Sequence, residues 1–472
     1  MQRQLVLIAL LASVTFSFVV KSQDSKPGSF YTPSDNAQCS TNASSAYFDV
    51  ILVIDTSVNM GASNLRKIST TLSLSLSKFP IGNQIDIAQG QRNVRIAVVT
   101  FDNQATIVAN YSDINSVNDL TRILNGVTAS NMQGGNLAEG LNKAFYIQTN
   151  CTDVLTNGCA EGFYYMRPTA MLIFAAYVDP SGVQNVTELV NIADFFDDGT
   201  PITVNFNTAN QGLTNMLNMI TFNPYVNASM YNFMGSSGTL TRDLEWAMLQ
   251  ANCYCGDDWG TNTYHFNTTL NRWQKNAECM ILSMSDSAVT TNVTQLCADV
   301  DHPEIPGYVL TKERETWLEN NLFDFPGESR GKRDVKDLGG NYPFYLGLHK
   351  NNNSQWTWWN YDLTEFPATY LNWAPGHPQA GDNCAIADSN DGQHLVWKSY
   401  GCDPSMTGLG FSLCQGPACD ATTTICCADC YYCEINPNCG IFPKKKAFKK
   451  RSKKDRLIRK MAKVNGRMVR VA

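Results

Sequence analysis

The residues with the clearest chemistry lie in one short segment, from Leu371 to Cys384, which reads Leu-Asn-Trp-Ala-Pro-Gly-His-Pro-Gln-Ala-Gly-Asp-Asn-Cys. In it Asp382 supplies a carboxylate, and Gln379 and Asn383 supply amide oxygens. Such groups ligate calcium, which takes about six to eight oxygens, or hydrogen-bond the hydroxyls of a sugar.

A second set of oxygen donors follows the apolar run 49–55, where Asp55, Ser57 and Asn59 alternate. That run is short and rich in β-branched residues, which is typical of a buried parallel strand. Open α/β sheets bind ligands beyond the carboxyl ends of such strands. Magnesium needs several oxygen ligands in a near-octahedral array, so these three residues are candidate metal ligands.

Strand and helix patterns alternate along the first half of the chain and must position these donors. Strands are expected over 49–55, 94–101, 105–111, 171–178 and 202–206, and helices over 65–79, 137–147, 189–196 and 240–251. Strands that alternate with helices predict a doubly wound α/β sheet.

Residues 48–250 resemble the von Willebrand factor A domain. The resemblance is carried by Asp55-Thr-Ser57-Val-Asn59, by the strand Arg95–Phe101 and by the glycine pair Gly134-Gly135 before a helix. It implies a magnesium site at the sheet edge, but the family's threonine falls on Gly135 and its late aspartate on Ala176. We therefore expect Asp55, Ser57 and Asn59 to be a degenerate site, and the domain to be a metal-free scaffold or a protein-interaction domain.

Residues 253–415 resemble the C-type lectin domain, an α+β fold. The landmarks, in chain order, are Trp273 and Cys279 in a first helix, Glu315-Thr-Trp317-Leu318 in a second, the strand Tyr345–Leu348, Asn372-Trp373, Cys384, Trp397, Cys402 and Cys414. The resemblance implies two disulfides, Cys279–Cys414 and Cys384–Cys402.

Sugar-binding members of that family hold calcium with a ring of oxygen ligands. The matching positions here are His377, Gln379, Asp382, Lys398 and Ser399. A lysine ammonium among them would repel the ion, so we expect no calcium-dependent sugar site. His377, Gln379, Asp382, Asn383 and Trp397 are the candidate ligand-binding residues of this region. Sugar binding without calcium stays open through tryptophan faces and asparagine amides, which are those of Trp356, Trp358, Trp359, Trp373, Trp397 and Asn351, Asn352 and Asn353. The alternative is that most of these tryptophans are core residues.

The N-terminus and the sequons indicate an exported glycoprotein. Residues 1–22 have the basic and apolar regions of a signal peptide, and 24–46 form a polar stretch that indicates a linker. The chain has 16 cysteines, an even number that favours disulfides in an oxidising compartment. The glycosylation sequons begin at Asn42, Asn110, Asn150, Asn185, Asn227, Asn267, Asn292 and Asn352.

The C-terminus has two further segments. Residues 416–440 are Cys-rich, and a disulfide framework is favoured there over zinc. The basic tail, 441–472, holds 14 of the chain's 36 Lys/Arg and one acidic residue, so its charge is +13, while the 22 basic and 41 acidic residues elsewhere give −19. Apolar residues at near-helical spacing in this tail predict either an amphipathic helix on an anionic membrane or polysaccharide, or a solvated tail.

These patterns predict a multidomain, secreted protein of the invertebrate lectin type, with an A-like domain before a lectin-like domain. Nothing in the sequence indicates catalysis, a required cofactor or nucleic-acid binding. The function we expect is recognition of glycans or microbial surfaces in innate defence, without the usual calcium site. The alternative is an extracellular adaptor that binds proteins and no sugar, and weak magnesium or calcium binding at the degenerate sites is the alternative for cofactors.

Overall fold

The computed structural model describes residues 33–83, 93–150, 168–180, 186, 199–255, 261–284, 297, 305–322, 343–389, 391, 394–402, 411–420, 460–464 and 467–471. Within these ranges, no helix is both long enough and apolar enough to cross a membrane. The helix expected over 189–196 lies outside the described residues.

The first part of the chain forms a six-stranded, mostly parallel sheet with helices on both faces. Its strands are β1 (Phe48–Asp55), β2 (Val94–Phe101), β3 (Ala105–Ala109), β4 (Thr169–Ala175), β5 (Gly199–Asn205) and β8 (Asn232–Met234), in the order β3-β2-β1-β4-β5-β8. Only β3 runs antiparallel to its neighbour. A short hairpin of β6 (Phe222–Asn223) and β7 (Ala228–Ser229) precedes β8. The doubly wound α/β fold predicted for this region is therefore confirmed.

Alternate residues of β1 pack into two separate cores, one on each face of the sheet. Val50 and Leu52 pack with α1 (Gly61–Leu76) and α5 (Leu240–Ala251). Ile51 and Val53 pack on the opposite side with α3 (Leu137–Asn150) and α4 (Gln211–Ile220). All eight residues of β1 are buried, which explains why its sequence is a continuous apolar run rather than an alternating one. Helix α2 (Val117–Gly126) is capped by Ser116.

In its described residues, the second part of the chain forms a nine-stranded mixed sheet and the helix α6 (Lys312–Asn321). Its strands are β9 (Thr261–Asn267), β10 (Arg272–Met284), β11 (Ile305–Pro306), β12 (Phe344–Lys350), β13 (Trp356–Trp359), β14 (Glu365–Pro367), β15 (Cys384–Ser389), β16 (Leu395–Tyr400) and β17 (Phe411–Pro417). The central order is β14-β13-β12-β17-β10-β9, with β15 pairing β12 and β16, and β11 pairing β17.

Two expectations for this second sheet are wrong. Trp273 and Cys279 lie in strand β10, not in a helix. Cys279 is bonded to Cys255 and Cys414 to Cys297, with Cα–Cα distances of 5.7 Å in both. The predicted Cys279–Cys414 bridge does not form because Cys279 lies opposite Gly416 in the strand register, two residues from Cys414. The Cys384–Cys402 bridge is present.

The described part of the predicted linker, 33–46, is a packed segment. Cys39 is bonded to Cys253, which follows α5, and Asp35 is buried against α6. The Asp35 carboxylate accepts hydrogen bonds from the Leu310 N–H at 3.1 Å and the Thr311 hydroxyl at 2.7 Å. The polar composition of the segment predicts a linker. The segment is packed instead because its polar residues make long-range contacts with other parts of the chain.

Side chains of α5 contact strand β10 of the second sheet. Arg272 of β10 lies 4.1 Å from the ring centre of Trp246 and pairs with Asp243 at 3.3 Å. The Gln250 side chain accepts a hydrogen bond from the Lys275 backbone at 2.7 Å. Together with the Cys39–Cys253 bridge, these contacts attach the two sheets to each other.

The basic tail differs from the expected helix in its described residues. Residues Lys460–Val464 (β18) and Arg467–Val471 (β19) pair as antiparallel strands rather than continuing as a helix. In the Cys-rich segment, Cys419 is disulfide-bonded, and the remaining cysteines lie outside the described residues.

Candidate functional site

At the edge of the first sheet where the resemblance implies a magnesium site, backbone N–H groups donate to the Asp55 carboxylate. Asp55 is fully buried at the end of β1. Its Oδ1 accepts from the Ser57 N–H at 2.8 Å and its Oδ2 from the Ala176 N–H at 3.0 Å. Burial raises the pKa of Asp55, and these N–H groups oppose that rise. Ala176 thus offers a backbone donor where a metal site would need a second carboxylate.

The backbone at Gly134 and Gly135 lies too close to its neighbours for a metal-ligating side chain to fit at either position. A Cβ at Gly134, whose φ is +77°, would lie 2.2 Å from Ser57 Cβ. A Cβ at Gly135, whose φ is +94°, would lie 2.4 Å from the Asp179 backbone nitrogen and 2.7 Å from the Tyr177 ring. No oxygen-bearing side chain can therefore occupy position 135 in this arrangement, and Gly residues are needed for the approach.

The remaining candidate, Asn59, is exposed, and its side-chain N–H donates to the Gln133 carbonyl at 2.9 Å. In the described part of the chain, no group of three or more His, Cys, Asp or Glu side chains is placed to hold a metal ion. Ser57 bonds to Asp55, but the Asn59 side chain bonds to Gln133 instead, and one carboxylate already bonded to two N–H groups does not fit a magnesium site.

The segment 374–383, which we call the loop, connects Trp373 to β15 and is closed by its own polar groups around Ser399 of β16. The Ser399 N–H donates to His377 Nδ1 at 2.9 Å, and the Gln379 N–H donates to Ser399 Oγ at 2.8 Å. The Ser399 hydroxyl donates to Asp382 Oδ2 at 2.6 Å. Three of the positions that match calcium ligands thus bond to a fourth, and the loop has a defined shape without an ion.

Lys398 has a different role from the one expected. Its ammonium lies 2.6 Å from Asp388 Oδ2 on the neighbouring strand β15. Because successive residues of a strand point to opposite faces, Lys398 lies on the face opposite Ser399. The positive charge of Lys398 is therefore neutralised by Asp388. It does not explain why the loop differs from a calcium site.

Trp397, a candidate ligand-binding residue, is fully buried, so this prediction is wrong. Its ring makes edge contacts with Trp358, Tyr370 and Trp373 at centroid distances of 5.8, 5.4 and 6.3 Å. Trp358 is also fully buried. Both rings are core residues, and a ligand could reach them only if the core opened. Gln379 and Asn383 are exposed, while His377 and Asp382 are half-buried.

Glu315 of α6 holds the start of the loop, a role the sequence did not reveal. Its carboxylate is fully buried and accepts from the Asn372 side chain at 2.9 Å and the Tyr370 hydroxyl at 2.7 Å. Lys312 pairs with it at 2.9 Å. Burial and the Glu315 carboxylate raise the pKa of Tyr370, so its hydroxyl remains a donor. A buried charge with several donors is satisfied, and here it fixes the segment before Trp373.

Three half-buried side chains, Lys350, Trp356 and Trp373, form what we call the aromatic surface. The Trp356 and Trp373 rings lie 4.7 Å apart between centroids, and the Lys350 ammonium lies 5.1 Å from the Trp356 ring centre. Lys350 and Trp356 are paired across β12 and β13, which places them on one face. The Lys350 N–H donates to the Asn383 carbonyl at 2.8 Å, and Trp373 directly precedes Ala374. The surface therefore adjoins both ends of the loop.

Comparison with known proteins supports part of these assignments. Residues 49–152 match the model of the von Willebrand factor type A domain. A curated relative, "C-type lectin domain-containing protein 160" of Caenorhabditis elegans, is 24% identical over 421 residues, which cover 86% of this chain and 57% of that protein. The chain thus spans little more than half the length of this relative.

Two solved structures are similar at low identity. Proximal thread matrix protein 1 from the mussel byssus, in a form described as having a zinc-occupied MIDAS motif, is 17% identical with a TM-score of 0.31, over 43% of this chain and 46% of that one. BatB from Bacteroides thetaiotaomicron is 11% identical with a TM-score of 0.29, over 43% of this chain and 98% of that one. From the family match and the observed sheet, residues 49–152 belong to a von Willebrand factor type A domain within a multidomain, disulfide-bonded chain.

Proposed function

We propose that this chain is a secreted recognition protein that binds microbial or host glycans through the aromatic surface, without calcium, and serves in innate defence. The observation that carries the proposal is the position of Trp356 and Trp373 beside a loop whose candidate calcium ligands bond to one another. The C-type lectin-like assignment of residues 253–415, on the resemblance of their motifs and the name of the nematode relative, supports it. No catalytic role is proposed.

The aromatic surface has the properties that sugar recognition requires. Tryptophan rings carry a negative face that attracts the polarised C–H groups of a pyranose ring. The Trp356 ring lies 4.7 Å from the Trp373 ring between centroids, and the Lys350 ammonium lies 5.1 Å from its centre, so contacts within the protein already restrain the ring and little ordering is needed on binding. The exposed Gln379 and Asn383 can donate to ligand hydroxyls from the adjoining loop.

Replacing Trp356 by alanine should weaken binding to a responsive polysaccharide about ten-fold or more, because aromatic anchors at recognition surfaces contribute ~2 kcal/mol. Surface plasmon resonance with the intact secreted protein measures the change. Trp273→Ala is the matched control, since Trp273 is also half-buried but lies on β10. Lys350→Gln, which leaves both rings in place, should weaken binding by a smaller factor. If the Trp356→Ala and Trp273→Ala proteins bind equally well, the aromatic surface is not the binding site.

A second candidate function is protein binding through the first sheet, which fits the extracellular protein–protein contacts typical of von Willebrand factor type A domains. The supporting observation is an apolar pair at the sheet edge beside Asp55. Val58 and Met132 are 55% and 50% exposed, and the Val58 N–H donates to the Met132 carbonyl at 2.9 Å. Apolar side chains exposed together at a sheet edge favour direct binding of a protein over binding of a partner through a metal ion.

A further inference from the structure

Asn352 lies at the tip of the turn that joins the two strands of the aromatic surface. The turn is closed by hydrogen bonds from the Asn351 N–H to the Gln355 carbonyl and from the Ser354 N–H to the Asn351 carbonyl, both 2.9 Å. The Asn351 side chain points back into the turn and accepts from the backbone N–H groups of Asn353 and Gln355 at 2.9 and 3.0 Å. Asn351 therefore organises the turn, and its neighbour Asn352 is left exposed.

The Asn352 amide can carry a substituent without breaking any hydrogen bond recorded among the described residues. Other sequons differ in this respect. The Asn267 side chain donates to Gln274 at 2.9 Å and accepts from the Leu270 N–H at 3.0 Å. The Asn110 side-chain oxygen is buried. A bulky, hydrated group is thus accommodated at Asn352 with no loss of packing.

The same position lies next to the residues that we assign to glycan binding. Asn352 is two residues from Lys350, so the two Cα atoms lie within about 7 Å of each other. Lys350 in turn covers the Trp356 ring. An oligosaccharide attached at Asn352 would occupy the volume above this face, because the exposed side chain that carries it lies at the tip of the same turn.

We propose that Asn352 carries an N-linked oligosaccharide that shields the aromatic surface and limits access of external ligands. The Asn352 Nδ2 forms a bond to the anomeric carbon of a lipid-pyrophosphate-linked oligosaccharide; the bond from that carbon to the pyrophosphate oxygen breaks, the amide loses one proton, and the lipid pyrophosphate leaves. This inference rests on the proposed glycan-binding function for its consequence, although attachment and shielding have readouts of their own.

The test compares Asn352→Gln and Ser354→Ala, which both remove the sequon, with Asn42→Gln, which removes a different exposed sequon. Glycopeptide mass spectrometry should find the oligosaccharide at Asn352 in the native protein and in Asn42→Gln. Both sequon variants should bind a responsive polysaccharide about five-fold more tightly than the native protein, and Asn42→Gln should not. An unmodified Asn352 overturns the proposal, and so does an occupied Asn352 whose removal leaves the affinity unchanged although the native protein binds the polysaccharide.

A second readout separates this proposal from the proposed function. The rate at which a bulky amine-acylating reagent modifies Lys350 should rise about three-fold in both sequon variants, whether or not any polysaccharide binds. If acylation accelerates while no protein binds polysaccharide, the shield stands and the glycan-binding function fails. If acylation is unchanged, the shield fails, whatever the polysaccharide measurements give.

Discussion

Replacing Arg314 by methionine should lower the free energy of unfolding by about 3–5 kcal/mol at neutral pH, because a buried carboxylate would lose its partner. Arg314 and Glu278 are each 2% exposed in their side chains, and the guanidinium Nη1 lies 2.6 Å from Glu278 Oε2. The same guanidinium donates to the Asp35 carbonyl. Urea denaturation, followed by tryptophan fluorescence, measures the loss.

The loss of unfolding free energy in Arg314→Met should become larger as the pH rises. Burial raises the pKa of Glu278 even with Arg314 beside it. A carboxyl whose pKa is higher in the folded state contributes stability that is present at low pH and is lost as pH rises through the folded pKa. Without Arg314 that pKa rises further, so the deficit of Arg314→Met should be small in acid and grow toward neutral pH.

The double variant Arg314→Met/Glu278→Leu is the control. It shows whether the single variant is unstable because Glu278 has lost its partner or because packing around Arg314 has been lost. It removes both charges and should recover most of the stability, since apolar replacement of a whole buried pair is often neutral. A deficit that is independent of pH, or a double variant no more stable than the single one, would contradict this account of the cluster.

The buried polar face of β10 also explains why this region was predicted wrongly. Gln274, Asn276 and Glu278 are buried at alternate positions, so the inward face of the strand is polar. Hydrophobic periodicity therefore gives no strand signal here, and only the resemblance to the lectin pattern places Trp273 and Cys279 in a helix. By contrast, β1, β2 and α5 were predicted within one or two residues, because each buries an apolar face that the sequence displays directly.

The candidate site was predictable only in part, for related reasons. The sequence identified the loop and the loss of calcium-ligand types, because ligand chemistry depends on residue identity. It could not show that Ser399 bonds Asp382 or that Trp397 is buried, since both depend on which face of β16 is covered. The roles of Glu315 and of the segment 33–46 rest on contacts distant in sequence, such as Asp35 with Thr311.

Removing the Cys39–Cys253 bridge by a double alanine replacement should lower the free energy of unfolding by about 2–5 kcal/mol. The bridge closes 214 residues and fixes the N-terminal segment to the end of α5, so its removal enlarges the unfolded ensemble. Chemical denaturation of the oxidised protein measures the change.

The matched control is Cys384→Ala/Cys402→Ala, which opens a loop of only 18 residues. Because loop-closure entropy grows with the logarithm of length, its loss should be smaller by about 2 kcal/mol if both bridges are unstrained. Equal losses for the two variants would mean that local packing, and not chain connectivity, is what the Cys39–Cys253 bridge contributes.

We propose that this protein recognises its ligand without calcium, because the His377 and Asp382 side chains and the Gln379 N–H are already bonded to Ser399. The most direct test is the binding of the intact protein to a panel of microbial polysaccharides and whole bacteria, in calcium and in a chelator. We predict binding of equal strength in both conditions. Binding that the chelator abolishes and added calcium restores would contradict the claim, and no binding in either condition would favour the protein-binding alternative.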